Sequence, residues 1–161
     1  MVSGFSRTRS RCRTMPSVTS RESSVVSLET ARAALINILA AEPAVVAAYI
    51  FGSLARGSAG PLSDIDVGLL AVDVDEAALL CDRTMDALCR RLGTSRVDVV
   101  SLATAPVPLR YRAIRDGLLV VRRDAATVER FITETVLHYL DFKPVRDRAF
   151  GLVRESILEN R

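Results

Sequence analysis

Apolar residues follow two patterns along the first two thirds of the chain. Residues 28–41 and 74–92 carry apolar side chains every three or four positions, which is the spacing of an amphipathic α-helix. Residues 44–51, 65–72 and 96–102 form short apolar runs bounded by turn-forming residues, a pattern typical of strands buried on both faces. This alternation predicts helices packed against a small central sheet.

The last third of the chain is mainly helical in pattern. A short helix is predicted to end near Arg115, and residues 118–121 are expected to form a fourth strand. Two further helices are predicted at residues 127–139 and 145–158. Pro144 separates them, because proline lacks the backbone N–H that continues a helix.

These elements predict one domain of the α/β (α+β) class, with a small mixed central sheet flanked by helices. Residues 25–125 would form the core, and the C-terminal helices at residues 126–161 would pack on it. Residues 1–24 are rich in Ser and Arg and poor in apolar side chains. Such a segment cannot offset its ordering entropy, so a disordered tail is predicted there.

The net charge of +3 is concentrated in that tail. The first 25 residues contain five arginines and one glutamate, so the rest of the chain is close to neutral. The tail could be a phosphate-binding arm or an artefact of the assigned translation start, and we favour a segment without function. A near-neutral core does not indicate a nucleic-acid-binding protein.

The overall composition is that of a globular protein, with 49% hydrophobic and 25% charged residues. No apolar stretch approaches the roughly 20 residues that cross a bilayer, and the N-terminus lacks the apolar segment of a secretory signal. A cytoplasmic protein without a membrane partner is therefore expected. Cys12, Cys81 and Cys89 lack the paired spacing of a zinc site and are predicted to be reduced.

Two acids stand at the second predicted strand. Asp64 and Asp66 are one residue apart, so strand geometry sends both carboxylates to one face and Ile65 and Val67 to the other. Two charges about 6 Å apart repel by roughly 3 kcal/mol at an effective dielectric near 20, which favours a bound cation. Asp98 would join them if the third strand lies beside the second. Such an oxygen-only cluster suits magnesium, which completes its shell with water and substrate phosphates.

A turn with the features of a phosphate site precedes the acids. Gly52 lets the backbone pass close to a ligand, and Ser53 is predicted to cap a helix whose first N–H groups face an anion. Arg56 follows one helical turn later and would add a charged donor. The turn and the acids together predict a site for a nucleoside triphosphate and magnesium.

The complete motif closely resembles that of the polymerase beta-like nucleotidyltransferase superfamily. It consists of GS at positions 52–53, nine further residues, SDID at positions 63–66, and the later acid Asp98. The form GSLARG followed by SDID resembles the minimal nucleotidyltransferases, in particular the MntA-type antitoxins, and the similarity continues through PLRYRAIRDG to HYLDFKP. The resemblance implies the nucleotidyltransferase fold.

In that family, the antitoxin inactivates a helical HEPN-domain ribonuclease toxin by transferring AMP from ATP to a tyrosine of the toxin. The resemblance therefore implies a protein adenylyltransferase with ATP as substrate, two Mg²⁺ ions, and a HEPN-domain toxin as its partner in a hetero-oligomer. It assigns nucleotide binding to Gly52, Ser53, Arg56 and Ser63, and it assigns metal binding and catalysis to Asp64, Asp66 and Asp98.

This chain departs from the family pattern at two positions, and neither departure removes a catalytic group. Leu54 stands where an aromatic residue is common, and Gly68 stands where a larger apolar residue is usual.

Two alternative functions stay open. A small-molecule nucleotidyltransferase of the aminoglycoside-modifying kind shares the motif, but it normally has a larger second domain, and only about 35 residues follow Asp124 here. A non-catalytic antitoxin would block the toxin by binding alone, and retention of all three acids counts against it.

Two segments of the last third allow two interpretations each. Tyr139, Asp141 and Lys143 could face a partner, or the end of the helix could pack Tyr139 and Phe142 on the core. The arginines at 110, 112 and 115 could meet phosphate or a toxin, although a solvated helix face is favoured.

Overall fold

The computed structural model describes residues 26–159, so the predicted tail at residues 1–24 lies outside the described part of the chain. Helices and strands alternate along most of this range. They are α1 (Leu28–Leu39), β1 (Val45–Phe51), α2 (Gly52–Ala55), β2 (Ile65–Ala71), α3 (Ala77–Leu92), β3 (Val97–Ser101), α4 (Val107–Asp116), β4 (Leu118–Arg122) and α5 (Ala125–Glu159).

The four strands form one mixed sheet in the order β3-β2-β1-β4. β1 is antiparallel to both of its neighbours, whereas β2 and β3 are parallel. In the register, Phe51 pairs with Asp66, and Asp66 pairs with Asp98. The end of β1 and the starts of β2, β3 and β4 therefore meet at one end of the sheet. We call this the acidic end, defined by Phe51, Asp66 and Asp98.

Helices cover both faces of the sheet, as the sequence predicts. On one face, buried residues of α1 and α3 such as Leu35 and Leu88 pack against Ile65 and Val67 of β2. On the other face, Ala113 of α4 and the first turns of α5 pack against the opposite side of the same strands. The predicted α/β (α+β) class, with a small mixed sheet between helices, is confirmed.

The two described cysteines lie in the first of these layers. Cys81 and Cys89 are buried on α3 and form no disulfide, in agreement with the prediction that they are reduced. Burial raises the pKa of Cys81 to about 12, and the nearby charge of Asp82 adds to the shift. The buried thiol of Cys81 is therefore protonated at neutral pH.

The predicted break at Pro144 is wrong. α5 runs without interruption for 35 residues, with Pro144 inside it. A proline within a helix leaves the carbonyl of the residue four positions earlier without its donor. That residue is Leu140, whose side chain is 57% exposed, so water can take the place of the missing donor.

Within residues 26–159, no helix combines the length and the apolar content that crossing a membrane requires.

Candidate active site

Gly52 and Asp66 are packed directly against each other at the acidic end. Gly52 has a φ of 77°, which non-glycine residues rarely adopt, and an added Cβ would lie 1.9 Å from Oδ2 of Asp66. The sequence predicts a glycine that lets the backbone approach a ligand. In the structure, the absence of a Cβ at Gly52 leaves space for the carboxylate of Asp66.

Asp66 and Asp98 are opposite each other on neighbouring parallel strands. Ile65, Val67 and Val99 on these strands belong to the core shared with α1 and α3, so strand alternation directs both acids to the other face of the sheet. Both residues are partly exposed. The condition set by the sequence, that the third strand lies beside the second, is met.

Asp64 lies one residue before β2 and is exposed. Among the described residues, no three acidic, histidine or cysteine side chains are gathered closely enough to form a metal site. The structure therefore does not bring the three carboxylates together as the sequence predicts. Two acids in register and a third beside them still fit magnesium, because this ion takes one or two carboxylates and fills its shell with water and phosphate.

The predicted role of Ser53 as a helix cap is wrong. The N-cap of the one-turn helix α2 is Phe51, without a side-chain hydrogen bond, and Ser53 lies inside the helical turn. The left-handed conformation of Gly52 starts the turn earlier than a serine cap would. The backbone carbonyl of Ser53 accepts a hydrogen bond of 3.0 Å from the N–H of Ser58, which closes this turn.

Ser63 holds the loop that leads from α2 to the acids. Its Oγ accepts a 2.9 Å hydrogen bond from the N–H of Gly60, and its own N–H donates to the carbonyl of Gly60 at 3.0 Å. The side chain of Ser63 therefore stabilises the loop immediately before Asp64. The nucleotide contact assigned to Ser63 stays a prediction.

Positive charge collects beside the acidic end, where α4 ends. Arg115 donates two hydrogen bonds of 2.6 Å to Asp116, and these hold the pKa of that carboxyl below its ordinary range. The charges of the exposed Arg56 and Arg112 contribute to the same shift, so both lie near Asp116. The sequence predicts Arg56 at this place, whereas Asp116 carries no motif that would have identified it.

The sequence allows two interpretations for each of two segments of the last third, and the structure shows where their side chains lie. Tyr139 packs on Tyr111 of α4, with stacked rings whose centroids are 3.8 Å apart, whereas Phe142 is 38% exposed. Among the arginines, Arg112 and Arg115 lie on an exposed helix face, and Arg110 is half-buried.

Gly68, one of the two departures from the family pattern, has a packing explanation. An added Cβ would come within 2.7 Å of Cδ2 of Leu102. Leu102 is completely buried and fills the space above β2. The volume that a larger residue usually supplies is therefore provided here by a leucine from the segment after β3.

Comparisons with known proteins identify the family and the fold of this chain. The family model described as polymerase beta, nucleotidyltransferase matches residues 33–126. A search of curated protein sequences finds no match.

The fold is similar to that of several solved structures. One is a toxin–antitoxin complex with AMP-PNP, with 24% identity, a TM-score of 0.63, and coverage of 76% of this chain and 98% of that chain. A second is a tri-AMPylated HEPN toxin from Shewanella oneidensis in complex with its MNT antitoxin, at 22% identity, a TM-score of 0.59, and coverage of 78% and 98%. A third is an MntA–HepT complex, at 22% identity, a TM-score of 0.58, and the same coverage.

The family match includes the Gly52 turn, Asp66 of β2 and Asp98, which are the parts that the structure brings together at the acidic end. Because the match spans more than half of its length, this chain belongs to the polymerase beta nucleotidyltransferase family.

Proposed function

We propose that this protein is a magnesium-dependent nucleotidyltransferase antitoxin that transfers AMP from ATP to a tyrosine of a HEPN-family toxin. The observation that carries the proposal is the register of Asp66 and Asp98 on adjacent strands, with Gly52 packed on Asp66. This register brings two carboxylates to the end of the sheet where the chain turns at Gly52. The residues fit a metal that is shared with a triphosphate.

The acids are assigned to metal binding. Asp66 and Asp98 would hold magnesium, with Asp64 as a third ligand from the loop, and two ions would be bound together with ATP. Magnesium held by these acids would lower the pKa of an attacking hydroxyl and would neutralise charge on the leaving pyrophosphate.

The transfer itself exchanges one phosphorus–oxygen bond for another. The tyrosine oxygen attacks the α-phosphorus of ATP, and the bond from that phosphorus to the bridging oxygen of pyrophosphate breaks. The phenolic proton leaves the nucleophile in the same step, and the partly exposed Asp98 is assigned to accept it.

The triphosphate is assigned to the turn after β1. The N–H groups of the first turn of a helix have no acceptor within the helix, and the Gly52-Ser53 turn presents such groups beside Asp66. Arg56 is exposed on the same turn and would add a charged donor, and Ser63 would contact the nucleotide from the loop. The cations near Asp116 give this side of the site a positive field that suits a polyanion.

A protein acceptor suits the architecture better than a small molecule does. After β4, the described part of the chain contains only α5, so it holds no second domain that would enclose a small acceptor. The toxin–antitoxin complexes of similar fold support the same assignment, since one contains AMP-PNP and another an AMPylated HEPN toxin.

The metal assignment predicts that ATP binding depends on magnesium. If phosphate oxygens complete the coordination shell, ATP should bind at least tenfold more weakly in EDTA than in magnesium, because the acids then repel the triphosphate. Isothermal titration calorimetry in both buffers measures this difference directly. Equal affinities would show that the acids do not form a metal site.

A further inference from the structure

The second half of α5 has no cover from the described part of the chain. Among the side chains of the helix that the structure describes, Thr135 is the last buried one, and the helix continues to Glu159. At about 1.5 Å per residue, the 20 residues after Tyr139 extend for about 30 Å. Several large apolar side chains on this extension are more than half exposed, including Val145, Phe150 and Leu152.

These apolar side chains lie on one side of the helix. With 3.6 residues per turn, six of them fall within about 160° of the helix circumference. They are Phe142, Val145, Phe150, Leu152, Val153 and Ile157, and we call them the apolar face of α5. The opposite side carries the charged residues Asp141, Lys143, Asp147, Arg148, Arg154 and Glu155.

The single arginine inside the apolar face is turned back toward the domain. Arg146 donates a 2.8 Å hydrogen bond to the hydroxyl of Tyr139, and its guanidinium lies 5.5 Å from the centre of that ring. It also contacts Asp147 at 2.6 Å. Its charge therefore does not interrupt the apolar surface further along the helix.

The width of the face indicates the shape of its partner. A single helix, as in a coiled coil with a second copy of this chain, covers only a narrow seam, whereas a face this wide needs at least two helices. Its six apolar residues are also far fewer than the roughly 20–30 residues that each partner contributes to a stable interface. The face therefore fits a groove in a helical protein that makes further contacts elsewhere on the domain.

The topology places this face in front of the acidic end. β4 runs from Leu118, beside the end of β1, to Arg122 at the far end of the sheet. α5 therefore starts at the far end, and Tyr139, about 21 Å along it, stacks on Tyr111 of α4, the helix that leads back to Leu118 at the acidic end. The remaining helix projects past the acidic end.

A ring stack fixes the direction of the projecting helix. Tyr111 and Tyr139 are parallel within 1°, and the guanidinium of Arg115 lies 5.5 Å from the ring centre of Tyr111. The guanidinium of Arg146 lies 5.5 Å from the ring centre of Tyr139. A partner bound to the apolar face is thereby held at a set position relative to the acids.

We infer that the apolar face of α5 is the docking surface for the helical toxin, which receives this helix in an apolar groove and presents its acceptor tyrosine to the acidic end. The inference rests on the proposed function, because it takes the partner to be the HEPN toxin. It adds the surface on this chain that selects and positions that partner, using the helix-in-groove mode of recognition.

Two double variants test the surface. Val145→Gln with Leu152→Gln changes the apolar face, and Leu140→Gln with Leu158→Gln changes the opposite side. The four side chains are 65%, 64%, 57% and 61% exposed, so both variants should fold equally well. Circular dichroism melting checks this, and calorimetry with magnesium and ATP checks that nucleotide binding is unchanged.

The probes are the purified HEPN-domain proteins encoded in the same genome as this chain. The full chain should bind one of them, the face variant at least tenfold more weakly, and the control variant within about twofold of the parent. Equal binding by face variant and parent would overturn the docking surface and leave the proposed function standing. If the parent binds none of these proteins, the proposed function fails and the inference falls with it.

Sedimentation of the chain alone tests the competing occupant. A monomer is expected for the parent and for both variants. A parent dimer that dissociates only in the face variant would show that the face is covered by a second copy, which would also overturn the inference.

Discussion

At the scale of single residues, the contact between Gly52 and Asp66 shows which features of the site the motif predicts and which it does not. The sequence identifies both residues and predicts that glycine is needed for a close approach. It does not reveal that the approaching group is the carboxylate of Asp66, because that pairing requires the register of β1 and β2. The wrong prediction for Ser53 has the same origin, since the conformation of Gly52 decides where α2 begins.

Replacing Gly52 with alanine should damage both stability and transfer. Alanine at positive φ costs about 1–2 kcal/mol, and here its Cβ would also displace the Asp66 carboxylate. Gly57 is the matched control, since its φ is 69° and nothing lies within 4 Å of an added Cβ. Urea unfolding should show Gly52→Ala to be less stable than Gly57→Ala by about 1 kcal/mol or more, and only Gly57→Ala should retain AMP transfer. Equal losses in both variants would contradict the steric role.

Asp124 caps the start of α5 and gives the helix a pH-dependent stability. Its carboxylate accepts hydrogen bonds from the hydroxyl of Thr127 at 2.6 Å and from the N–H of Ala126 at 3.0 Å. The hydroxyl of Thr127 is the main cause that lowers the pKa of Asp124 from its ordinary value of 3.8. The stabilisation is therefore present above the ordinary pKa of 3.8 and is lost as the pH falls through the lowered pKa.

Asp124→Ala should accordingly reduce the thermal midpoint at pH 7, and the difference from the parent should shrink toward pH 2. Thermal melts at a series of pH values measure this. A difference that stays constant down to pH 2 would show that the carboxylate does not act as the cap.

At the scale of elements, the apolar pattern predicts most of the structure. All four strands, and the helices at α1, α3 and α4, are confirmed with small shifts at their ends. The predicted break at Pro144 fails because proline penalises a helix through one lost hydrogen bond and one clash, and neighbouring helical residues can outweigh that cost. The unpartnered half of α5 was equally hidden, since its apolar spacing looks like that of a helix packed on a core.

The stack of Tyr139 on Tyr111 should stabilise the junction of α4 and α5. Tyr139→Ala removes the ring contact and should lower the free energy of unfolding by about 1 kcal/mol or more. Tyr139→Phe keeps the stack and loses only the hydrogen bond from Arg146, so it should cost less. Chemical denaturation of both variants, with the exposed His138→Ala as control, distinguishes the two. Equal stability of Tyr139→Ala and His138→Ala would refute the role of the stack.

At the scale of the whole molecule, the acidic end depends on topology. Asp66 and Asp98 are separated by α3 in the chain, and they meet because the crossover through α3 returns β3 parallel to β2. From the sequence, the approach of Asp98 could be predicted only if β3 lay beside β2, because residue spacing does not specify which strands are neighbours. The motif was predictable from its residues, whereas the partly assembled state of the three acids was not, because it depends on side-chain positions.

The central claim is that the acids perform the AMP transfer and are not required for binding the toxin. Asp64→Asn with Asp66→Asn keeps the shape of both side chains and removes two negative charges that repel each other, so stability should be equal or slightly higher. Asp73→Asn with Asp75→Asn is the matched control, because it removes two charges at the same spacing from an exposed segment after β2.

The decisive measurement is AMP incorporation into the HEPN toxin, followed by intact mass, together with rescue of growth when the toxin and each variant are co-expressed. Losing metal-held activation should reduce transfer by about a hundredfold or more in Asp64→Asn with Asp66→Asn. Toxin binding should persist, rescue should be lost, and the control should behave like the parent. If the double variant leaves the toxin unmodified and still protects cells as well as the parent does, transfer is not how this protein neutralises the toxin.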